Sequence, residues 1–351
     1  MKYILCPSVA LILSVSNAFA GVAPVQHLYA NSVVGANIIN IQNTVAQSAI
    51  DRFDGRINFN RSVIKHDVDD VQHGADVYGT MRPYGEYGDD GTVFGRNGGD
   101  TAVVNDVWVN WNYANGYIDF DKLGRVDTRS NIIMAGASDD LGFGNFGVFG
   151  GYVGGDQVKG AGIDVSENAG FVGVFDGFRI GDFSIDALAD AGVMFSKSKM
   201  KIGDDNFNNI WIGTGVNLAY DIRVDNTFYI QPSVYGGYTW IRAHDYTSLS
   251  GDHVTSQNFN SLNLIPGLRF VKNIIGDWYG TAGVKYVMSS NHGGVTDISG
   301  RAVENLDYGN HTEYAISIER HIESFDLSVN IGRYDGAYTG WQGGASIKYV
   351  F

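Results

Sequence analysis

Two histidines and three aspartates form the one local cluster in the sequence that could bind a metal ion: His66, Asp67, Asp69, Asp70 and His73. Imidazole and carboxylate groups are common ligands of divalent cations. The same residue types also suit a solvated acidic loop, which is the interpretation we favour. The pairs Asp89–Asp90 and Asp204–Asp205 could hold Ca²⁺ weakly, but they lack the ligand spacing of an EF-hand loop. We therefore predict no metal site.

A second set of charged residues recurs on one face of predicted strands, where we expect it to line an interior: Asp186, Asp190, Arg269, Lys285, Glu319, Asp326 and Lys348. Charged groups inside a protein are rarely unpaired, so we expect salt-bridge networks among them. A general acid–base pair is the alternative. The sequence contains no G-x-S-x-G elbow, Walker A loop or H-E-x-x-H motif. We predict no catalytic residue, no cofactor and no enzymatic activity.

The composition narrows the class of protein. The chain has 351 residues and a formal net charge of -14, with 47 Gly, 20 Tyr and 19 Phe but only 18% charged residues. Many aromatic residues argue against a disordered chain, and the acidic balance argues against a nucleic-acid binder. After the N-terminus no run of 18 apolar residues occurs, which excludes a helical membrane protein. A glycine- and aromatic-rich β protein remains.

The first twenty residues have the features of a secretory signal peptide. An apolar stretch from Ile4 to Val15 precedes the small-residue site Ala18-Phe19-Ala20, so we expect cleavage between Ala20 and Gly21. Cleavage would remove Cys6, the only cysteine of the chain. The mature protein would then contain no disulfide and no thiol nucleophile.

Residues 27–53 show a helical pattern, with one apolar stripe formed by Val34, Ile38, Ile41, Val45, Ala49 and Phe53. A helix from Asn31 to Phe53 would be about 34 Å long, which is near the thickness of a bilayer core. An ordinary amphipathic helix would explain the pattern equally well. Residues 54–102 are polar and glycine-rich, and we interpret them as an irregular connector.

From residue 103 onward, apolar and polar residues alternate with period two. Phe325, Leu327, Val329 and Ile331, for example, alternate with polar residues and glycine. This pattern predicts twelve strands, near 103–113, 128–139, 142–153, 165–181, 183–198, 209–223, 227–243, 258–273, 278–291, 311–322, 324–335 and 340–351. Runs of ~10–16 residues exceed the usual soluble strand and suit tilted transmembrane strands. Aromatic residues near the ends of the apolar faces, such as Trp341 and Phe351, favour the same interpretation.

The predicted connections alternate in length. Tight turns are expected near Asp140–Leu141, Asp182, 224–226, 274–277 and 323–324. Long loops are expected at 114–127, 154–164, 199–208, 244–257 and 292–310, and only Gly336 to Thr339 is a short exception. Short turns at one end and long loops at the other are typical of outer-membrane barrels. The predicted fold is an all-β, twelve-stranded antiparallel transmembrane outer-membrane β-barrel.

A signal peptide, a helix of pore length and twelve strands together resemble the translocator β-barrel of autotransporters (type V secretion). The closing segment from Gly340 to Phe351 is similar to the C-terminal signal read by the outer-membrane barrel-insertion machinery, with Ile347, Tyr349 and Phe351 as its apolar residues. The resemblance implies a barrel over 103–351 with the helix in its lumen. It also implies the outer membrane of a Gram-negative bacterium, contact with membrane lipid and, we expect, a monomer.

The sequence departs from this family in two respects. Fewer than ten residues separate Gly21 from the helix, so we expect no large passenger, and the connector 54–102 is longer than usual. The predicted function is a translocator barrel without its own passenger. The alternatives are an outer-membrane channel, or an adhesin-like barrel that acts through its loops 244–257 and 292–310.

Overall fold

The computed structural model describes residues 34–50, 106–120, 124–140, 145–160, 163–180, 182–200, 203–225, 227–249, 251–255, 258–293, 296–299, 301–303 and 309–351. The predicted signal peptide with its cleavage site, the ends of the predicted helix 27–53, and the connector 54–102 lie outside the described residues. So do the histidine–aspartate cluster and Asp89–Asp90.

Twelve long antiparallel strands form the wall. They are β1 Asp106–Phe120, β2 Gly124–Asp140, β3 Asn145–Gly160, β4 Ile163–Ile180, β5 Phe183–Met200, β6 Gly203–Tyr220, β7 Phe228–Ala243, β8 Asn258–Ile275, β9 Trp278–Gly293, β10 His311–Ile322, β11 Phe325–Gly336 and β12 Tyr338–Val350. Each pairs with its neighbours in the chain, and β12 pairs with β1 from Asp106↔Val350 to Ile118↔Tyr338. The sheet is therefore closed, and the predicted twelve-stranded barrel is confirmed.

The two faces of the wall have opposite chemistry. On β5, Val193 and Phe195 point outward and are 37% and 56% exposed, whereas Asp186 and Asp190 point inward and are buried. The same alternation runs along β11, where Leu327, Val329 and Ile331 point outward and are exposed. A soluble sheet would place its polar face outward. An apolar outer face with a polar inner face is the arrangement of a barrel that spans a membrane.

Three of the predicted long loops are wrong. Residues assigned to the loops 114–127, 154–164 and 199–208 belong mostly to β1 to β6, which continue to the short connections at 121–123, 161–162 and 201–202. The reason is visible at the ends of β1 and β2. There Ile118 and Val126 point inward and are fully buried, while Asp119 and Arg125 point outward. Beyond the membrane the outer face of the wall meets water, so polar residues point outward and apolar residues point inward there. This reversed alternation looks like a polar loop in the sequence.

The other two predicted loops, 244–257 and 292–310, contain strands of their own. Tyr246–Thr247, His253–Thr255, Thr296–Ile298 and Arg301–Val303 form a four-stranded sheet. Its central pairing, Val254↔Ile298, joins one loop to the other. The Tyr246 ring stacks on Phe207 of β6 with centroids 5.5 Å apart, which fixes the first loop to the rim.

Glycine on the inner wall makes room for rings from neighbouring strands. A Cβ atom at Gly192 would lie 2.1 Å from the Trp211 ring, and one at Gly173 would lie 2.2 Å from Phe149. These distances exclude any larger residue without displacement of the ring. On β1, β3 and β4 such rings form a row, with Phe149 between Trp108 and Phe175 at 6.5 and 6.3 Å.

Candidate functional site: the barrel lumen

Residues 34–50 form a helix inside the barrel, surrounded by the wall. Its apolar residues are almost inaccessible: Val34, Ile38, Ile39, Ile41, Val45 and Ala46 are each at most 1% exposed. The polar residues Asn37, Gln42 and Asn43 are buried as well. Polar side chains that are buried in this way must find their hydrogen-bond partners within the protein.

Gln42 makes the central contact between the helix and the wall. Its Nε2 donates to Asp190 Oδ2 at 3.4 Å, and its Oε1 accepts from the Thr239 hydroxyl at 2.7 Å. Trp211 Nε1 donates to the other oxygen of Asp190 at 2.8 Å. The amide fits because Gly213 lacks a side chain, since a Cβ there would lie 2.6 Å from Gln42 Nε2. The bonds join the helix to β5 and β7 in a site closed to water.

Further contacts are distributed along the helix. Asn37 Nδ2 donates to Glu167 on β4 at 2.5 Å, and Asn43 Oδ1 accepts from Asn263 Nδ2 on β8 at 3.2 Å. Near the other end, Ser48 Oγ accepts from Asn112 Nδ2 on β1 at 3.2 Å.

Lys285 makes the last of these contacts. Its Nζ donates to Gln47 Oε1 at 2.8 Å, so a cation lies near the C-terminal part of the helix, where the helix dipole favours one. The wall therefore binds the helix on several sides and over its described length.

The helix runs from the outer end of the barrel toward the end that carries both Asp106 and Phe351. Glu167 lies near the start of β4, beside the outer connection 161–162, whereas Lys285 lies on the ascending strand β9. Outer-membrane barrels place short turns and both chain termini in the periplasm, so the C-terminal end of the helix points toward the periplasm.

The outer half of the lumen is a continuous apolar core. Ile38, Ile39 and Ile41 of the helix belong to one buried cluster with wall residues that include Ile118, Phe120, Val126, Met194, Ile241 and Phe259. The pocket beside Asn37 and Ile41 at this level has a volume of about 20 Å³, far smaller than the cavity below it. The helix and the wall together fill most of the outer half of the lumen.

The periplasmic half contains a cavity of about 310 Å³ that is lined by charged, polar and apolar side chains. Gln47, Ser48 and Ile50 of the helix line its upper end, and its lower rim lies beside the turns at Asp182 and Asp225. The remaining lining comes largely from β6 to β12. The row of aromatic rings on β1, β3 and β4 occupies the opposite side of the lumen.

The structure places all seven charged residues of the sequence analysis on the inner wall. Asp186 and Asp190 are buried on β5, where Asp186 Oδ2 accepts from Asn217 Nδ2 at 3.0 Å. The other five line the cavity: Arg269, Lys285, Glu319, Asp326 and Lys348. The carboxylate of Asp326 contacts both Lys348 Nζ and His321 Nδ1 at 2.5 Å.

Ile347 and Phe351 point outward and are 44% and 68% exposed. The half-buried ring of Tyr349 packs on Phe325 and Phe351, with centroids 4.9 and 4.8 Å away. These residues form an apolar edge at the periplasmic end of β12.

Sequence reasoning missed Gln42, Trp211, Thr239 and Glu313. Gln42 and Thr239 are 197 residues apart, and no local pattern relates them. The signal that could have found Gln42 is weak: it is a polar residue beside an apolar stripe on a helix expected to be enclosed.

Comparison with known proteins agrees with this geometry. The family model described as the autotransporter beta-domain matches residues 107–339, which is most of the barrel. The chain belongs to the autotransporter beta-domain family. The barrel is accordingly an outer-membrane translocator barrel, and the predicted location and class of function are confirmed.

Solved translocator domains share the fold at low identity. The beta domain of the Bordetella autotransporter BrkA is 12% identical with a TM-score of 0.57, covering 70% of this chain and 98% of that one. The translocator domain of NalP from Neisseria meningitidis is 11% identical with a TM-score of 0.60, covering 70% and 88%. The transport unit of AIDA-I from Escherichia coli is 14% identical with a TM-score of 0.56, covering 71% and 90%. No curated protein matches the chain.

Autotransporter translocator barrels are not themselves enzymes. In the part of the chain that the structure describes, no three His, Cys, Asp or Glu side chains are grouped to hold a metal ion. Asp204 pairs with Lys197 at 2.7 Å, and Asp205 accepts a bond from the Leu249 N–H. No helix of the described ranges is both long enough and apolar enough to cross a membrane.

Proposed function

We propose that this translocator barrel is closed at rest by the helix 34–50, which is a resident plug rather than a loosely held segment. The observation that carries the proposal is the bonding of Gln42, a fully buried amide whose donor and acceptor both meet the wall. A helix in transit would meet a wall without matching partners. Removal of this helix from the lumen would break the bonds of Gln42 to Asp190 and Thr239 and would expose the apolar residues that pack against the helix, which costs free energy.

Electrical conductance in a planar bilayer tests the plug. The intact protein should conduct little, and a variant that lacks residues 34–50 should conduct steadily because the lumen is then open. A freely conducting intact protein, with no change on deletion, would contradict the proposal and favour the channel alternative.

A crosslink tests the same point without deletion. The double variant Gln42→Cys and Thr239→Cys, linked by a short bifunctional thiol reagent, joins two positions whose side chains now share a hydrogen bond. Urea below the unfolding concentration should increase the conductance of the parent barrel and of the unlinked variant, but not of the linked variant. Equal increases in the linked and unlinked forms would show that the helix does not close the pore.

We further infer that Ile347, Tyr349 and Phe351 are read by the barrel-insertion machinery of the outer membrane. Their outward position at the periplasmic end of β12 supports this role. Loss of Phe351 removes outward apolar area worth about 2–3 kcal/mol and leaves no cavity in the lumen, so the finished barrel should tolerate it. Deletion of Phe351 should block assembly in cells while the same protein refolds in detergent.

Trp341→Ala is the matched control, because Trp341 is also outward and lies near the other end of β12. Membrane-inserted protein, measured by surface labelling in cells, should fall strongly for the Phe351 deletion and weakly for Trp341→Ala. Equal losses would make Phe351 an ordinary aromatic residue of the membrane boundary.

A further inference from the structure

Two exposed arginines lie at the same level on the outer surface of the barrel, one on each side of the junction between the first and last strands. Arg333 on β11 pairs with Trp341 on β12. Asn115 on β1 pairs with Trp341 on one side and with Arg129 on β2 on the other. These four residues form an outward row across four neighbouring strands, which we call the junction row. At about 4.8 Å per strand, the Cα atoms of the two arginines are about 14 Å apart.

The junction row lies at the outer edge of the apolar band of the wall. On the periplasmic side of the row, the outward residues Ile331 on β11 and Trp111 on β1 are exposed and apolar. On the other side, the next outward residues of β2 and β11 are Asp127 and Asp335. A change from apolar to charged residues on the outer face marks the level of the lipid headgroups. The short turns and termini are at the opposite end, so these are the headgroups of the outer leaflet.

The guanidinium groups of the junction row are available to an anion. Arg333 Cζ lies 5.4 Å from the centroid of the Trp341 ring, which orients the group without neutralising it. Among the described residues, neither Arg129 nor Arg333 forms an ion pair with a carboxylate. Asp127, two residues from Arg129, instead pairs with Arg125 at 3.0 Å. An exposed guanidinium presents a planar set of N–H donors that suits a phosphate group.

A shallow apolar groove runs from Trp341 toward the periplasm. The next two outward residues of β12 are the small residues Gly343 and Ala345. Larger outward residues flank them, because Ile331 lies opposite Gly343 and Trp111 lies opposite Ala345. A Cβ at Gly343 would meet nothing nearer than a backbone oxygen at 3.6 Å, so the groove is open to the outside. It begins between the two arginines and has the shape to hold one acyl chain.

We propose that the junction row and this groove bind one glycolipid of the outer leaflet, whose headgroup is a disaccharide with a phosphate at each end. One phosphate binds Arg129 and the other binds Arg333, because two sugar rings and the reach of both side chains span their separation. The sugar lies over Trp341, and the amide of Asn115 bonds to its polar groups. An acyl chain occupies the groove. A phospholipid with one phosphate would meet only one of the arginines.

Native mass spectrometry of the full protein in detergent tests the site, with lipid A as the probe. Lipid A has two phosphates and should bind with one molecule per barrel. Its monophosphoryl form and phosphatidylglycerol should bind about tenfold more weakly, since one charge-assisted hydrogen bond contributes roughly that factor. Arg129→Gln and Arg333→Gln should each weaken lipid A binding about tenfold and should abolish the preference for the second phosphate.

Arg320→Gln is the matched control for charge. Arg320 is also outward and lies over a tryptophan, with its Cζ 5.0 Å from the centroid of the Trp278 ring, but it is at the periplasmic end of β10. This variant should bind lipid A as the parent does. A loss equal to that of Arg333→Gln would show a general effect of charge and would overturn the proposal.

A steric variant tests the groove. Gly343→Leu fills the groove and keeps both arginines, so lipid A binding should weaken about tenfold as the acyl chain loses its contact area. Heat-modifiable migration on gels reports that the variant is folded. Equal binding of lipid A and its monophosphoryl form, or full binding by Gly343→Leu, would each overturn the proposal.

Discussion

The outer and periplasmic halves of the lumen differ in what fills them, although the same strands build both. In the outer half, Ile38 and its neighbours pack against apolar wall residues and leave only a pocket of about 20 Å³. In the periplasmic half, Gln47 and Ser48 face a cavity of about 310 Å³. The same helix is therefore tightly packed at one end and borders a cavity at the other. We therefore expect closure of the barrel to depend on packing in the outer half, and substitutions in the periplasmic half to affect closure less.

A buried charge should give the largest contrast between the halves. Ile38→Glu places a carboxylate in the apolar half without a counter-ion and should destabilise the barrel by about 3–5 kcal/mol. Gln47→Glu places one beside Lys285 at the cavity and should cost less than about 1 kcal/mol. Urea unfolding, followed by heat-modifiable migration, measures both. Similar losses would contradict the division of the lumen.

Removal of one hydrogen-bond partner should give a smaller contrast. Asp190→Leu leaves Trp211 Nε1 and Gln42 Nε2 without their acceptor in a dry site and should cost about 2–4 kcal/mol. Lys285→Met also breaks a contact with the helix, but water in the cavity can replace it, so we expect a loss below about 1 kcal/mol. Unfolding in urea compares the two variants. A larger loss for Lys285→Met would place the main attachment of the helix in the lower half.

Added methyl groups test the packing of the two sides of the wall. Gly192→Ala forces a Cβ to within 2.1 Å of the Trp211 ring and should destabilise the barrel by about 1–3 kcal/mol. Gly283→Ala meets backbone only at 3.5 Å, so it should change the unfolding free energy little. Thermal unfolding of both variants in detergent measures the difference. A neutral Gly192→Ala would mean that the ring at Trp211 moves freely.

The smallest effect concerns a group outside the wall, at the turn between β6 and β7. The pKa of Asp225 is lowered because the backbone N–H and hydroxyl of Thr227 donate to its carboxylate. A lowered pKa stabilises the fold at neutral pH, and this contribution is lost as the pH falls through the lowered value. Asp225→Asn should loosen the turn slightly at pH 7. Amide exchange at Thr227 should then converge with that of the parent protein as the pH falls below 3.8.

Period-two alternation predicted the strands because it depends only on which side of a wall a residue faces. It placed Asp186 and Lys348 on the inner face without knowledge of their partners. The same rule failed at the outer ends of β1 to β6, because the environment outside the wall changes from lipid to water there. Ile118 is apolar but points inward, so the rule that apolar residues face outward fails at this position.

The contacts of the lumen could not be predicted in the same way. The bond between Gln42 and Thr239 joins residues that approach only after the barrel has closed. The pairing of Gly192 with the Trp211 ring depends on the register of β5 and β6, which a one-residue slip would abolish. Residue types indicated which face of the wall a side chain occupies. The hydrogen-bond and packing partners of that side chain depend on the register of every intervening strand.

The unequal length of the strands shapes the outer opening. β4, β5 and β6 each have 18 residues, whereas β10 and β11 have 12 and β12 has 13. At about 3.3 Å per residue, one side of the wall is longer by roughly 16–20 Å along its strands. The outer rim is therefore oblique, and its low side lies at β10 to β12. The outer ends of β10 to β12 therefore lie closer to the membrane surface than the outer ends of β4 to β6, and the mouth of the barrel faces partly to that side.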